Sequence, residues 1–131
     1  MLDETCRISV NFRIEKARNC LNAAETLLSV GSYADSTNRS YYCIFHAMRA
    51  VLITVGFSSK THSGNIAEFR RRFIKTSVFP NEFSDIIGSA FEIRNDSDYE
   101  DFYIVSKDES EQQAANAKVF FKAVEDYINT L

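Results

Sequence analysis

Apolar residues recur along this chain at alternating intervals of three and four positions, the spacing of one face of an α-helix. Near the amino terminus this stripe comprises Val10, Ile14, Ala17, Leu21, Ala24 and Leu28. Near the carboxyl terminus a similar stripe comprises Ala114, Ala117, Phe121, Val124, Ile128 and Leu131. Such seams pack against other helices, so the pattern predicts long first and last helices that frame an antiparallel bundle.

Turn and capping signals separate the first two helices. Gly31 is placed to end the first helix, and Ser32 can cap the second, with Asp35 in the capping-box position. The second helix is predicted to run to about Val55 and to stop at Gly56. Because the connection between them is very short, the two helices should be antiparallel neighbours.

The remaining signals predict two or three further helices. A loop over residues 57–64 precedes a shorter helix over roughly 65–75, and Pro80 marks the start of a fourth. A loop over about 99–105 precedes Ser106, which forms a capping box with Glu109. No repeat or linker interrupts the pattern. We therefore predict an all-α, up-and-down bundle of four to five helices in a single domain, residues 1–131.

Composition narrows the class of protein. Of 131 residues only 4 are Gly and 1 is Pro, which favours long helices. The net charge of -3 creates no global attraction for nucleic acid or anionic lipid. The three cysteines lack metal or redox spacing and are expected to be buried in a reducing cytoplasm. The longest apolar run, about residues 41–57, is too short to span a bilayer, so no membrane association is expected.

The second helix has an unusual distribution of side chains. A wide apolar stripe and a flank of small residues cover most of it, which is typical of a central helix. The remaining arc contains Arg39, Tyr42, His46 and Arg49 at spacings of three, four and three. These side chains should face a cleft, a partner or water. The alternative is that the two arginines pair with carboxylates across the bundle and that His46 hydrogen-bonds a carbonyl group.

Arg94 interrupts the apolar stripe of the fourth helix. The stripe comprises Phe83, Ile86, Ile87, Ala90 and Phe91. Arg94 continues its spacing, and Asp98 follows one turn later. A guanidinium group directed at a core or a partner is costly unless an anion meets it. The segment 94–99 is therefore the best candidate for a functional site.

The residues that several kinds of metal site and catalytic site require are absent from the sequence. Neither histidine has a Glu three positions before it, as a di-iron bundle requires, and clustered zinc ligands are absent. No phosphate-binding glycine loop or nucleophile motif is present. We expect no metal and no cofactor. Any catalysis would use Arg, His, Tyr and carboxylate groups.

Two basic segments could bind an anion, but each also has an explanation that involves no ligand. The run Arg70 to Arg72 points in three directions on a helix, so a solvated surface is favoured. The loop containing Lys60 and His62 leads into a helix amino terminus, where backbone donors suit a phosphate. The alternative there is a plain cap provided by Ser63.

Taken together, these motifs resemble the HEPN superfamily, and in particular its small single-domain prokaryotic branch. The resemblance covers the chain from about Ala17 onward. It is carried by Asn38-Arg39-Ser40-Tyr41-Tyr42, Phe45-His46, Arg49-Ala50, Lys60-x-His62-Ser63-Gly64 and Arg94-Asn95-Asp96-Ser97-Asp98-Tyr99. It implies a helical bundle that is usually a homodimer and that binds nucleotides or RNA. Many members are metal-independent endoribonuclease toxins. Others are encoded beside a nucleotidyltransferase that silences them by attaching AMP to a tyrosine.

The chain departs from the nuclease motif of that family. The motif is Arg-x4-6-His, in which Arg stabilises the charge developing on phosphorus and His transfers protons. Arg94 and Asn95 match, but Tyr99 occupies the place five residues later and no His follows. Tyr has a pKa of about 10 and is a poor proton carrier at neutral pH. The modified tyrosine of silenced toxins falls at Asp101, which leaves Tyr99 and Tyr103 as loose candidates.

Three hypotheses follow. The favoured one is a homodimeric module for nucleotide or RNA phosphates, with a nucleotidyltransferase or antitoxin as a protein partner. Its ligand-binding candidates are Arg39, Tyr42, His46, Arg49, Lys60, His62, Arg94, Asn95, Asp98 and Tyr99. In it, Tyr42 and Tyr99 are available to stack on bases. The second is a metal-independent endoribonuclease toxin, with Arg94, His46 and His62 as catalytic candidates. The third is a helical scaffold for a partner protein, in which Arg94 simply pairs with Asp98.

Overall fold

The computed structural model describes residues 2–131, and all of the regular secondary structure in that range is helical. The five helices are α1 (Glu4–Ser29), α2 (Tyr33–Ile53), α3 (His62–Phe69), α4 (Glu82–Tyr99) and α5 (Lys107–Ile128). A π-helical turn, Arg70–Ile74, continues α3. The predicted all-α bundle is confirmed. Across the described range, none of the helices combines the length and apolarity needed to traverse a bilayer.

Helix α2 occupies the centre of the bundle and packs against α1, α3, α4 and α5. Its small residues Cys43, Ala47 and Ala50 are completely buried, which allows close approach of its neighbours. The Cys43 thiol lies 3.9 Å from the Ala117 carbonyl of α5 and donates to it. Since most of α2 is enclosed in this way, only one arc of the helix remains partly accessible.

A cluster of aromatic rings packs together in the part of the bundle where the chain passes from α3 to α4. Its rings belong to Phe69, Phe73, Phe79, Phe83, Phe120 and Tyr127. Phe79 lies between the π-helical turn and α4, with its centroid 5.5 Å from Phe69 and 5.7 Å from Phe83. Burial of these rings holds α3 and α4 in a fixed relation, and both helices carry residues of the candidate site.

The capping signals had mixed outcomes. Gly31 adopts φ +80°, a left-handed conformation that suits glycine after a helix end. The Ser106 box is formed: the Ser106 hydroxyl accepts from the Glu109 amide at 3.0 Å, and the Glu109 carboxylate accepts from the Ser106 amide at 3.1 Å. The predicted Ser32 box is wrong. The Ser32 hydroxyl instead donates to the Asp35 carboxylate at 2.9 Å and caps no backbone group.

Three helix ends differ from the predicted positions. Helix α4 begins at Glu82, two residues after Pro80. Helix α2 ends at Ile53, two residues before Val55. Helix α3 begins at His62, three residues earlier than predicted, because the Thr61 hydroxyl caps it by accepting from the Gly64 amide at 3.0 Å. The capping residue is therefore Thr61, not Ser63. This early start places His62 on the first turn of the helix.

The loop before α3 is held by a buried side chain. Asn65 is 1% exposed, and its amide group donates to the Ser59 carbonyl at 3.1 Å and the Thr61 carbonyl at 2.9 Å. Its Oδ1 accepts from the Ser59 backbone amide at 3.3 Å. These bonds tie the loop to α3 and fix where His62 enters the bundle.

Candidate functional site

The structure brings Arg94 to the polar arc of α2. Arg39, Tyr42, His46 and Arg49 are each partly buried on this side of the central helix. Helix α4 runs beside them, and Arg94 Nη2 donates to the Tyr42 hydroxyl at 3.0 Å. The two sets of residues that the sequence singled out therefore share one surface.

Arg94 is held mainly by aromatic and neutral groups. Its side chain is 14% exposed, and its guanidinium carbon lies 5.3 Å from the ring centroid of Tyr41 and 5.7 Å from that of Tyr99. Nη1 donates to Asn95 Oδ1 at 3.2 Å. Nε lies 3.1 Å from Asp98 Oδ2, but the two are not aligned for a hydrogen bond. Asp98 therefore offsets the charge of Arg94 without using the donor capacity of Nε.

Tyr42 lies next to several of the other candidate residues. The Arg39 guanidinium carbon lies 5.2 Å from its ring centroid, and the rings of His46 and His62 each lie 6.1 Å away. Its ring is thus packed among other side chains. Tyr99, by contrast, is 70% exposed. Stacking of a base therefore suits Tyr99 better than Tyr42.

His46 is surrounded by cations. Its Nδ1 lies 3.0 Å from Arg13 Nη1 of helix α1. Burial, and after it the charges of Arg13, Lys16, Arg49 and Arg39 in that order, together lower the pKa of His46 to about 4. Every charged group that acts on this ring is positive, so the ring is neutral at pH 7.

We define the cationic cluster as Arg13, Lys16, Arg39, Arg49 and Arg94. Within residues 2–131, Asp98 is the one carboxylate within 4 Å of any of their charged nitrogen atoms. Arg39 donates to the neutral Asn38 amide oxygen at 2.7 and 3.2 Å, and Arg49 donates to the Ser58 hydroxyl at 3.4 Å. The cluster therefore has an excess of positive charge although the whole chain is acidic.

The other basic segment behaves differently. Arg71 and Arg72 both bind the Glu68 carboxylate, with nitrogen–oxygen distances of 2.7 Å. Their exposed side chains and their shared counter-ion fit the solvated surface that the sequence favoured for this run. For Arg70 that prediction is wrong, because its side chain is partly buried and Nη2 donates to the Ser84 carbonyl of α4 at 3.0 Å.

His62 joins the site from the start of α3. Its Nδ1 lies 2.6 Å from the Tyr41 hydroxyl, and its ring stacks on Phe45 with centroids 4.2 Å apart. Burial lowers the pKa of His62, and the charges of Arg94 and Arg49 lower it further. The neighbouring Lys60 is exposed on the loop. The Gly64 amide donates to the Thr61 hydroxyl, which caps α3. The conformation of the loop is therefore explained without a phosphate bound to this amide.

Arg13 and Lys16 are the site residues that sequence reasoning missed. Both lie on α1 and read as ordinary polar positions beside the apolar stripe. By their spacing Arg13, Lys16 and Cys20 share one side of α1, and the Cys20 sulfur lies 3.9 Å from Arg39 Nη1, but the spacing alone does not show that this side meets α2. The position of Arg13 and Lys16 beside the polar arc of α2 depends on how α1 and α2 pack, and the apolar periodicity of each helix does not specify this packing.

Neighbouring features limit what the site can bind. Within residues 2–131, no group of three or more His, Cys, Asp or Glu side chains is arranged to hold a metal ion. A cavity of about 600 Å³ adjoins the end of α4. Its lining consists of Asp96, Tyr99, Glu100, Asp101, Phe102 and Tyr103. Its three carboxylates make this cavity unfavourable for phosphate, in contrast to the cationic cluster.

Comparison with known proteins identifies related chains. A family model described as the HEPN domain matches residues 10–127. A Methanocaldococcus jannaschii protein named "Putative toxin MJ0142" is 31% identical over 115 residues, covering 88% of this chain and 78% of that protein. A Thermotoga maritima protein named UPF0332 protein is 32% identical over 116 residues, covering 88% of each. The crystal structure of TT1696 from Thermus thermophilus shares the fold, with a TM-score of 0.76, 18% identity and coverage of 89% of this chain and 96% of that one.

Proposed function

Because this chain belongs to the HEPN domain family, we propose that it is a homodimeric module that binds the phosphate groups of a nucleotide or RNA. We further propose that it works in a toxin–antitoxin or nucleotidyltransferase-associated system. The toxin name of the Methanocaldococcus relative supports the second statement. The charge of the site supports the first.

The observation that carries the proposal is the uncompensated charge of the cationic cluster. Five cations from α1, α2 and α4 surround Tyr42 and His46, and the nearby acid is Asp98. Arginine suits phosphate because its planar fork donates two parallel hydrogen bonds. An unpaired cluster of this kind is costly in a folded protein unless a ligand or solvent anion offsets it.

The direct test is the binding of a fluorescently labelled single-stranded RNA oligonucleotide at several salt concentrations. Five cations and one carboxylate leave a local charge of about +4, so the logarithm of the affinity should fall with log salt with a slope of about −3. Affinity should then drop about 50-fold between 50 and 200 mM salt. Arg39→Gln removes one phosphate contact and should reduce the slope by about 0.7.

The matched control is Arg71→Gln, which removes an equal charge from the surface that is paired with Glu68. We expect this variant to retain the parental slope and affinity. If Arg39→Gln and Arg71→Gln behave alike, or if the parent binds no RNA, nucleotide or inorganic phosphate at 50 mM salt, the cluster is not a phosphate site. The scaffold hypothesis would then be the better one.

A metal-independent endoribonuclease toxin is the second candidate. Two observations favour it: a relative carries a toxin name, and Arg94 and His46 both pack against Tyr42. It predicts RNA cleavage that persists in EDTA and is abolished by Arg94→Ala, with His46 or His62 as proton carrier. Binding without cleavage would support the module instead.

The proposed homodimer and protein partner need separate measurements. Sedimentation equilibrium of the purified chain should give twice the monomer mass of 15.0 kDa. A purely monomeric chain at micromolar concentration would contradict the dimer but would leave the phosphate site to be judged by the RNA experiment.

A further inference from the structure

Two histidines of the site are held by different residues in the same way. His46 Nδ1 is 3.0 Å from Arg13 Nη1, and His62 Nδ1 is 2.6 Å from the Tyr41 hydroxyl. In a neutral imidazole one ring nitrogen carries the proton and the other accepts a hydrogen bond. The partner of Nδ1 therefore decides which nitrogen is protonated.

For His46 the assignment follows from the chemistry of arginine. A guanidinium group has five N–H donors and no acceptor, and it stays protonated in proteins. A short contact with Arg13 therefore requires His46 Nδ1 to accept. The proton of the neutral ring must then be on Nε2.

For His62 the assignment follows from burial. Tyr41 is 2% exposed, and within residues 2–131 its hydroxyl has no other hydrogen-bond partner. A buried O–H donor without an acceptor is costly, so the Tyr41 proton is donated to His62 Nδ1. His62 also carries its own proton on Nε2.

Both Nε2 atoms are available to a ligand. Within the described range neither has a hydrogen-bond partner, and neither is among the buried atoms that lack one. Arg39 and Arg49 lie near His46, and Arg94 and Arg49 lie near His62. The two N–H groups therefore belong to the same cationic surface.

We propose that Arg13 and Tyr41 are positioning residues that hold His46 and His62 as neutral Nε2–H donors for phosphate oxygens. This inference rests on the proposed phosphate-binding function and adds how the histidines take part in it. Held in this way, neither ring presents a free basic nitrogen to a ribose 2′-hydroxyl. The arrangement therefore serves binding better than general base catalysis.

The test is long-range ¹H–¹⁵N correlation NMR of the histidine rings at pH 7.5. The chain has two histidines, so His46→Asn and His62→Asn assign both ring systems. We expect both rings in the Nε2–H form. Arg13→Met should release His46 into a mixture of tautomers, whereas Arg13→Lys should preserve the Nε2–H form because it retains a donor.

Two matched variants show whether the effect is specific. Lys16→Met removes a neighbouring charge of α1 without touching the ring, and it should leave the tautomer of His46 unchanged. Tyr41→Phe should release His62 alone. If either histidine of the parent carries its proton on Nδ1, or if Arg13→Met and Lys16→Met give the same spectrum, the proposal is overturned.

Adding single-stranded RNA to the parent then separates this proposal from the proposed function. Shifts of both Nε2–H signals that saturate with RNA support both. Saturable RNA binding without any change in these signals overturns the donor role and leaves the phosphate site intact. If RNA, nucleotide and inorganic phosphate all fail to bind, the proposed function fails, and the donor role fails with it even when the tautomers are as assigned.

Discussion

Replacing His46 should change how the stability of the protein depends on pH. The folded state lowers the pKa of His46 from 6.5 to about 4, first through burial and then through Arg13, Lys16, Arg49 and Arg39. The unfolded chain therefore binds a proton at His46 more readily than the folded chain does. His46 favours folding fully above about pH 6.5. This contribution declines as the pH falls from 6.5 to 4 and is lost below about 4.

The size of the effect follows from these two pKa values. At pH 5 the linkage relation gives about 2 kcal/mol of lost stability, and screening of the partly exposed ring reduces this to about 1–2 kcal/mol. His46→Asn is the best comparison because Asn Oδ1 occupies the place of Nδ1 and can still accept from Arg13. The variant also retains His62, whose lowered pKa acts in the same direction.

The assay is urea unfolding of the parent and of His46→Asn at pH 8, 7, 6 and 5. Carboxylates and His62 titrate in both chains, so the difference between the two stability curves isolates His46. We expect that difference to shrink by about 1–2 kcal/mol between pH 8 and pH 5, in favour of the variant. Two parallel curves would show that His46 keeps an ordinary pKa in the folded state, and our account of a cation-surrounded ring would be refuted.

Two further predictions concern the scaffold and use urea unfolding at pH 7.5. Phe120→Ala leaves a cavity in the aromatic cluster, where Phe120 is 0% exposed, and should destabilise the fold by about 3–5 kcal/mol. The control Val119→Ala, at a position 56% exposed, should cost less than about 1 kcal/mol. Equal losses of stability in the two variants would contradict the assigned core. Ser77→Gly should stabilise by about 0.5–1 kcal/mol, since Ser77 has φ 64°, whereas Thr76→Gly should destabilise; a loss at both positions would contradict the assigned backbone conformation.

The helices themselves were largely predictable from the sequence because helix formation is governed by local periodicity and by the residues at the ends. The stripes of α1 and α5 and the Ser106 box needed only neighbouring residues to be recognised. The errors occurred where two local hydrogen-bonding arrangements were both compatible with the sequence and the structure adopted the one that was not predicted. Asn65 ties the loop to α3, where Thr61 rather than Ser63 caps the helix, and the Ser32 hydroxyl binds the Asp35 side chain instead of the backbone.

The residues of the candidate site were likewise only partly predictable from the sequence. The sequence by itself marked Arg94 as a charge within an apolar stripe and placed Arg39, Tyr42 and His46 on one arc, since a helical repeat fixes which residues of a helix share a face. Only the tertiary structure placed Arg13 against His46, Tyr41 against His62 and Arg94 against Tyr42. Those pairings depend on how far each helix slides and turns on its neighbour, which the packing of the whole core decides.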